Sequence, residues 1–298
     1  MALRFLLAGS MAQVAMAGAI PSGGRICGTQ DLTAQNDSVW ATQERVADNG
    51  SVIELNAAFH FCCVSNDECP SDEVAKHEIE VMNRHYDPAQ IKFHLQNTTR
   101  MYDARCGQTS VTDQAYMDSL KEQTHQGGTN TLNIVYVPTN KGPGTKGYCV
   151  IPPASNNIRQ IFGRKDGCVV SDSTLPGNGR GSDNDVTSVH EAGHWLGLQH
   201  WNENRGPGFS RRQMGQTRNI MDAWQITGSG IKYEFAQSQI PNLRQMAMRR
   251  KQQAGSGGRE PDDGDDNQGG FPRRPGRPGQ IRRPGQIGRP GQIFPPGF

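Results

Sequence analysis

The chain has 298 residues, with 31 Lys and Arg against 29 Asp and Glu, a formal net charge of +2 and 34% hydrophobic residues. So even a balance gives no electrostatic drive toward nucleic acid or an anionic membrane surface, and no stretch approaches the roughly 18 apolar residues of a bilayer span. With a leader and a polar tail set aside, about 200 to 230 residues remain, enough to bury the core of one domain or at most two.

Met1 to Ala19 carries one positive charge at Arg4, an apolar run from Phe5, and then small residues. Ala15-Met16-Ala17 and Ala17-Gly18-Ala19 both fit an A-x-A site, so residues 1–19 are predicted to be a secretory signal peptide cleaved after Ala17 or Ala19. Gly9, Ser10 and Gln13 interrupt the run, which argues against a membrane span. Residues 20–50 read as an N-terminal segment or short pro-region. A secreted chain is expected to bond its cysteines, here Cys27, Cys62, Cys63, Cys69, Cys106, Cys149 and Cys168, and the odd count leaves one over. Cys149 and Cys168 fall on two candidate strands and can pair. For Cys27, the disulfide habit of secreted chains favours a bond to Cys62, Cys63, Cys69 or Cys106. Sequons at Asn36, Asn49 and Asn97 fit an extracellular glycoprotein.

Residues 51–250 read as the catalytic domain. Ile53, Leu55, Ala57, Phe59 and Phe61 alternate as a strand does. After Pro70-Ser71-Asp72, the spacing of Ala75, Ile79, Met82 and Tyr86 predicts a helix with a start signal. Ile91, Phe93 and Leu95 predict a second short strand, Met117 and Leu120 a second helix, and Leu132 to Val137 a buried strand. Gly147 to Ile151 and Cys168 to Ser171 add further strands, and Phe235, Ile240 and Leu243 a closing helix. His60, His77, His85, His94 and His125 show no ligand spacing and read as ordinary surface or core histidines.

The segment His190-Glu191-Ala192-Gly193-His194-Trp195-Leu196-Gly197-Leu198-Gln199-His200 fills every fixed position of H-E-x-x-H-x-x-G-x-x-H. Five fixed positions arise by chance in a chain of this length with odds on the order of one in ten thousand. On a helix, residues four apart share a face, so His190 and His194 can hold one metal ion together. Gly197 can take the positive φ that ends the helix and brings His200 back as a third ligand. Such a set leaves a fourth position for water, whose pKa zinc lowers to roughly 7, with Glu191 placed as general base. Ser182 or Asp183 is the expected helix cap, with Val186, Val189 and Leu196 as its buried stripe. The expected cofactor is one catalytic Zn²⁺.

The extended motif resembles that of the metzincin metallopeptidases. Their Met-turn matches Asn219-Ile220-Met221-Asp222, making Met221 the Met-turn residue. Within the clan the chain is most similar to the pappalysin family, particularly its secreted fungal-type extracellular metalloproteases. That closer match rests on Cys27-Gly28-Thr29, Thr131-Leu132-Asn133-Ile134, Ser173-Thr174-Leu175-Pro176-Gly177 and the Met-turn. The resemblance spans roughly residues 25 to 250 and implies an α+β catalytic domain. Its parts would be a mixed, mostly parallel twisted sheet with an antiparallel edge strand, a long zinc-binding helix, and a small C-terminal subdomain holding the Met-turn and closing helix. It also implies that Cys168–Ser171 is the edge strand pairing with extended substrate. The Arg25-Ile26-Cys27-Gly28 setting is similar to the zinc-blocking cysteine of some latent metzincins, which stands beside the disulfide reading of Cys27.

The chain departs from the family at two places. The family tyrosine two residues after the Met-turn methionine is Ala223, followed by Trp224, and losing one oxyanion donor costs about a hundredfold in rate. The stretch from Trp201 to Ile220 is short, basic and free of cysteine, so a calcium site there is not supported.

Residues 251–298 hold eight of the 18 prolines and twelve of the 36 glycines and read as a disordered tail. Arg277-Pro278-Gly279-Gln280-Ile281 recurs from Arg283 and from Arg289. This basic part is either a tether for acidic polysaccharide or surfaces or a solvated extension with no dedicated role.

These features together predict a secreted zinc-dependent endopeptidase acting on extracellular proteins or peptides. The alternatives are a zinc-binding homologue with weakened catalysis that serves as a binding protein, and a wall- or polysaccharide-binding protein that works through its tail.

Overall fold

The computed structural model describes residues 24–31, 45–138, 144–153, 157–176, 185–201, 217–226 and 231–256. The signal-peptide stretch, the Asn36 sequon, Ser182, Asp183 and the tail repeats lie outside the described residues.

Seven strands form one sheet: β1 (Gly24–Cys27), β2 (Ile53–Cys63), β3 (Ile91–Tyr102), β4 (Thr131–Val137), β5 (Gly144–Cys149), β6 (Cys168–Ser171) and β8 (Trp224–Ile226). Their order is β3-β2-β4-β6-β5-β1-β8. The strands from β3 to β6 are parallel, β5 runs antiparallel to β6, β1 runs parallel to β5, and β8 closes the edge antiparallel to β1. The short strands β7 (Thr217–Asn219) and β9 (Lys232–Glu234) pair separately. The helices are α1 (Asp72–Tyr86), α2 (Gln114–Thr124), α3 (Ile158–Phe162), α4 (Thr187–Trp195) and α5 (Ile240–Ser256). This is the mixed, mostly parallel α+β architecture expected.

The two faces of β2 explain the layers. Strand side chains alternate, so Leu55, Phe59 and Phe61 meet Met82 and Tyr86 of α1, Trp195 of α4 and Leu243 of α5. Cys62 faces the other way, in a smaller cluster with Val135, Val169, and Met117 and Leu120 of α2. The same alternation sorts the disulfides. Cys62 bonds Cys106 on the α2 side, while its neighbour Cys63 bonds Cys69. Cys149 bonds Cys168 across β5 and β6, as the sequence allowed. Cys27 is therefore left as a free thiol among the described residues, which overturns the disulfide reading for it.

Three further expectations are corrected. Cys168–Ser171 is an interior strand between β4 and β5, not the substrate-pairing edge. The zinc-motif helix is short, nine residues, because Gly197 at φ 81° turns the chain out of it. The helix starts at Thr187 with Val186 as its N-cap residue, and Asp185 Oδ1 accepts from the Thr187 N–H at 3.0 Å. The closing helix α5 continues to Ser256, so the first six residues assigned to the tail are helical. Among the described residues no helix is long and apolar enough to cross a membrane.

Candidate metal centre

His190 and His194 stand one turn apart on α4 with ring centroids 4.7 Å apart. His190 Nδ1 donates to the Ile220 carbonyl at 2.7 Å, and His194 Nδ1 donates to the Leu198 carbonyl at 2.8 Å. A carbonyl only accepts, so in each neutral ring the proton lies on Nδ1 and Nε2 carries a lone pair. The two Nε2 atoms nonetheless face each other at 3.0 Å. Neither has a proton to give, so this approach is repulsive unless a cation sits between them. Burial holds the rings neutral, pushing His190 down to about 3 and His194 well below its usual range.

Beyond Gly197 the chain doubles back. The Gly197 N–H donates to the His194 carbonyl and the Leu198 N–H to the Gly193 carbonyl, a helix-ending turn that needs the positive φ. It carries His200 to ring-centroid distances of 5.4 Å from His190 and 4.7 Å from His194. His200 Nδ1 faces Asp31 Oδ2 at 3.1 Å, and its buried Nε2 has no hydrogen-bond partner among the described residues. The fourth donor is Cys27, whose Sγ lies 3.4 Å from His194 Nε2. The donor atoms of Cys27, His190, His194 and His200 all lie within 4.8 Å of one another. Three converging imidazole lone pairs and a thiol are four donors of the types that hold zinc. Without a cation, burial and then the charge of Glu191 push the Cys27 thiol up.

Glu191 projects beside this cluster and is fully buried. Its Oε2 accepts from the Thr29 hydroxyl at 3.2 Å, and its Oε1 has no hydrogen-bond partner among the described residues. Burial pushes its carboxyl up to about 8, against the opposing bonds from Cys27 and Thr29. The carboxylate lies against β5 at Gly147, where a Cβ would run into its oxygen and carbon atoms. Met221 packs beneath α4, against Gly193, where a Cβ would meet the Met221 sulfur. Asn219 Oδ1 accepts from the Met221 N–H at 2.8 Å and holds the turn that also presents the Ile220 carbonyl to His190. Ala223 offers no side-chain donor, and Trp224 is 38% exposed.

The N-terminal segment crosses the centre on the open side of β5. Cys27 is in register with Gly147, the Gly28 N–H donates to the Gly147 carbonyl at 2.8 Å, and the Cys149 N–H donates to the Thr29 hydroxyl at 2.9 Å. Past it opens a cavity of about 410 Å³ lined by Gly28, Gln30, Tyr148, Val150, Ile151 and Phe162. The structure thus places His190, His194, His200, Glu191 and Met221 close together. Thr29, Asp31 and Gly147 were not singled out as site residues, because they reach the site only through strand pairing.

A profile for the metallo-peptidase family M12B, reprolysin-like, matches residues 73–201. Extracellular metalloprotease 1 of Coccidioides posadasii is 33% identical over 196 residues, covering 62% of this chain and 68% of that protein. The chain belongs to the extracellular metalloprotease family. As a family member it is a metalloendopeptidase. Among solved structures, Tannerella forsythia promirolysin matches with a TM-score of 0.55 at 18% identity, covering 74% of this chain and 92% of that one. Mature mirolysin in complex with a cleaved peptide matches with a TM-score of 0.51 at 18% identity, covering 69% of this chain and 98% of that one. At that identity the likeness is one of fold alone.

Proposed function

We propose that the protein is a secreted zinc-dependent endopeptidase of the pappalysin type, held in a latent state by its own N-terminal segment. The convergence of three imidazole Nε2 lone pairs on one point carries the reading. His190, His194 and His200 would hold the ion, and Cys27 would take the remaining position. Zinc, when bound, supplies the Lewis acidity that makes water nucleophilic near neutral pH.

The chain's own residues do the rest. Glu191 accepts the proton of the attacking water and delivers it to the departing amine nitrogen, its carboxylate being buried beside the imidazoles with Oε1 lacking a hydrogen-bond partner among the described residues. Met221 and Gly193 set the floor on which α4 rests. A substrate peptide in extended form would pair with β5, where β1 now lies, using the Gly147 and Cys149 backbone groups. The edge role read for Cys168–Ser171 thus moves to Gly144–Cys149. Removing Gly24–Thr29 from β5 would free the fourth position, Glu191 and the substrate edge in one step.

The test is hydrolysis of gelatin by the secreted chain after release of the N-terminal segment. Cleavage that a zinc chelator stops, and that Glu191→Ala abolishes while zinc stays bound, supports the reading. Equal inactivity of wild type and Glu191→Ala would overturn it.

A further inference from the structure

The covering segment makes a second contact with the ligand set that blocking does not explain. We propose that Asp31 is a positioning residue of the metal centre, which orients His200 as the third ligand. The inference rests on the zinc reading above.

The other two imidazoles are anchored within the domain, His190 by the Met-turn carbonyl of Ile220 and His194 by the Leu198 carbonyl of its own helix end. His200 lies past the helix, and its ring nitrogen is held instead by a carboxylate from 169 residues away. Asp31 grips it at two points. Oδ1 accepts from the His200 backbone N–H at 2.8 Å, and Oδ2 accepts from Nδ1 at 3.1 Å. A two-point clasp fixes both the backbone and the ring, so Nε2 is aimed at the centre. The partner's negative charge also strengthens the imidazole as a donor. The His200 side chain is 8% exposed and that of Asp31 is 32% exposed, so the clasp is partly sheltered.

Residues 27 and 31 therefore act on the centre in opposite senses. Cys27 fills the position that chemistry needs open, while Asp31 completes the ligand set that chemistry needs closed. Release of the segment as far as Asp31 loosens the third ligand as well as uncovering the site.

Zinc affinity of the full chain, by chelator competition, and the visible spectrum of the Co²⁺-substituted chain test this in wild type, Asp31→Ala, Asp31→Asn and Gln30→Ala. Asp31→Ala is expected to weaken zinc by roughly 10- to 100-fold and to change the cobalt spectrum. Asp31→Asn, which keeps an acceptor but loses the charge, is expected to fall between. Gln30→Ala changes an exposed side chain of the same segment and is expected to leave both readouts unchanged. If Asp31→Ala fails to fold, Asp31→Asn decides. Wild-type affinity and spectrum in the folded Asp31 variants overturn the inference alone, as does equal weakening by Gln30→Ala. A wild-type chain that binds no zinc overturns the zinc reading with it.

Discussion

Cys27 Sγ lies 3.4 Å from Nε2 of His194 across 167 residues of sequence, and it is the thiol left free by the three disulfides. In the proposed latent state this sulfur would both block the three-histidine centre and report on it. With zinc bound, Cys27 is expected to resist a thiol reagent in the folded chain and to react once a chelator removes the ion. Immediate reaction in the zinc-loaded chain contradicts the placement. Cys27→Ser, carrying a weaker ligand, is expected to raise gelatin hydrolysis by the uncleaved chain above that of wild type.

Gly147 is where β5 runs closest to the carboxylate of Glu191. Gly147→Ala is expected to displace that carboxylate by a fraction of an ångström to an ångström and to lower kcat by about 100-fold. Zinc content should stay at the wild-type level. Steady-state kinetics with metal analysis on the same samples separates this outcome from loss of the ion.

The end of α4 is tied to α5 by Arg250, a fully buried guanidinium. It donates to the Trp195 carbonyl at 3.0 Å, to the Thr129 carbonyl at 3.0 Å, and to both oxygens of Asp166 at 2.8 and 3.1 Å, and it stacks over the Trp195 ring. Arg250→Met leaves the Asp166 carboxylate buried without its cation and is expected to cost about 3–5 kcal/mol. Denaturant midpoints of the two proteins measure it, and an unchanged midpoint counts against the role.

Glu78 of α1 is buried with one oxygen lacking a hydrogen-bond partner among the described residues. Burial raises its carboxyl from 4.5 to about 7, with Ser188 and Arg84 opposing. Between those values the folded chain holds a proton that the unfolded chain has released, so stability falls as pH rises through this window. Glu78→Gln removes that slope. The Tm of the variant relative to wild type is expected to rise from pH 4.5 to about 7, and a flat difference contradicts the assignment.

The clustering of His190, His194 and His200 was legible in the sequence because helix spacing and one turn-forming glycine place them, and both are local. The strand at Ile53, Leu55, Phe59 and Phe61 and the helix ending at Tyr86 were legible for the same reason. Strand order was not, since a parallel sheet pairs segments far apart: the resemblance put the edge at Cys168–Ser171, which lies between β4 and β5. The state of Cys27 depended on which partners Cys62 and Cys63 take, a question of sheet faces. Asp31 carries no local signal at all. Its meaning appears only when β1 is laid on β5 and the following residues reach His200.

X-ray absorption at the zinc edge of the full, uncleaved chain tests the proposed centre most directly. The expected shell is one zinc per chain with three nitrogen ligands at about 2.0–2.1 Å and one sulfur at about 2.3 Å. The sulfur contribution should vanish in Cys27→Ser. A shell of nitrogen and oxygen alone in the wild type, or a chain that retains no zinc, would contradict it.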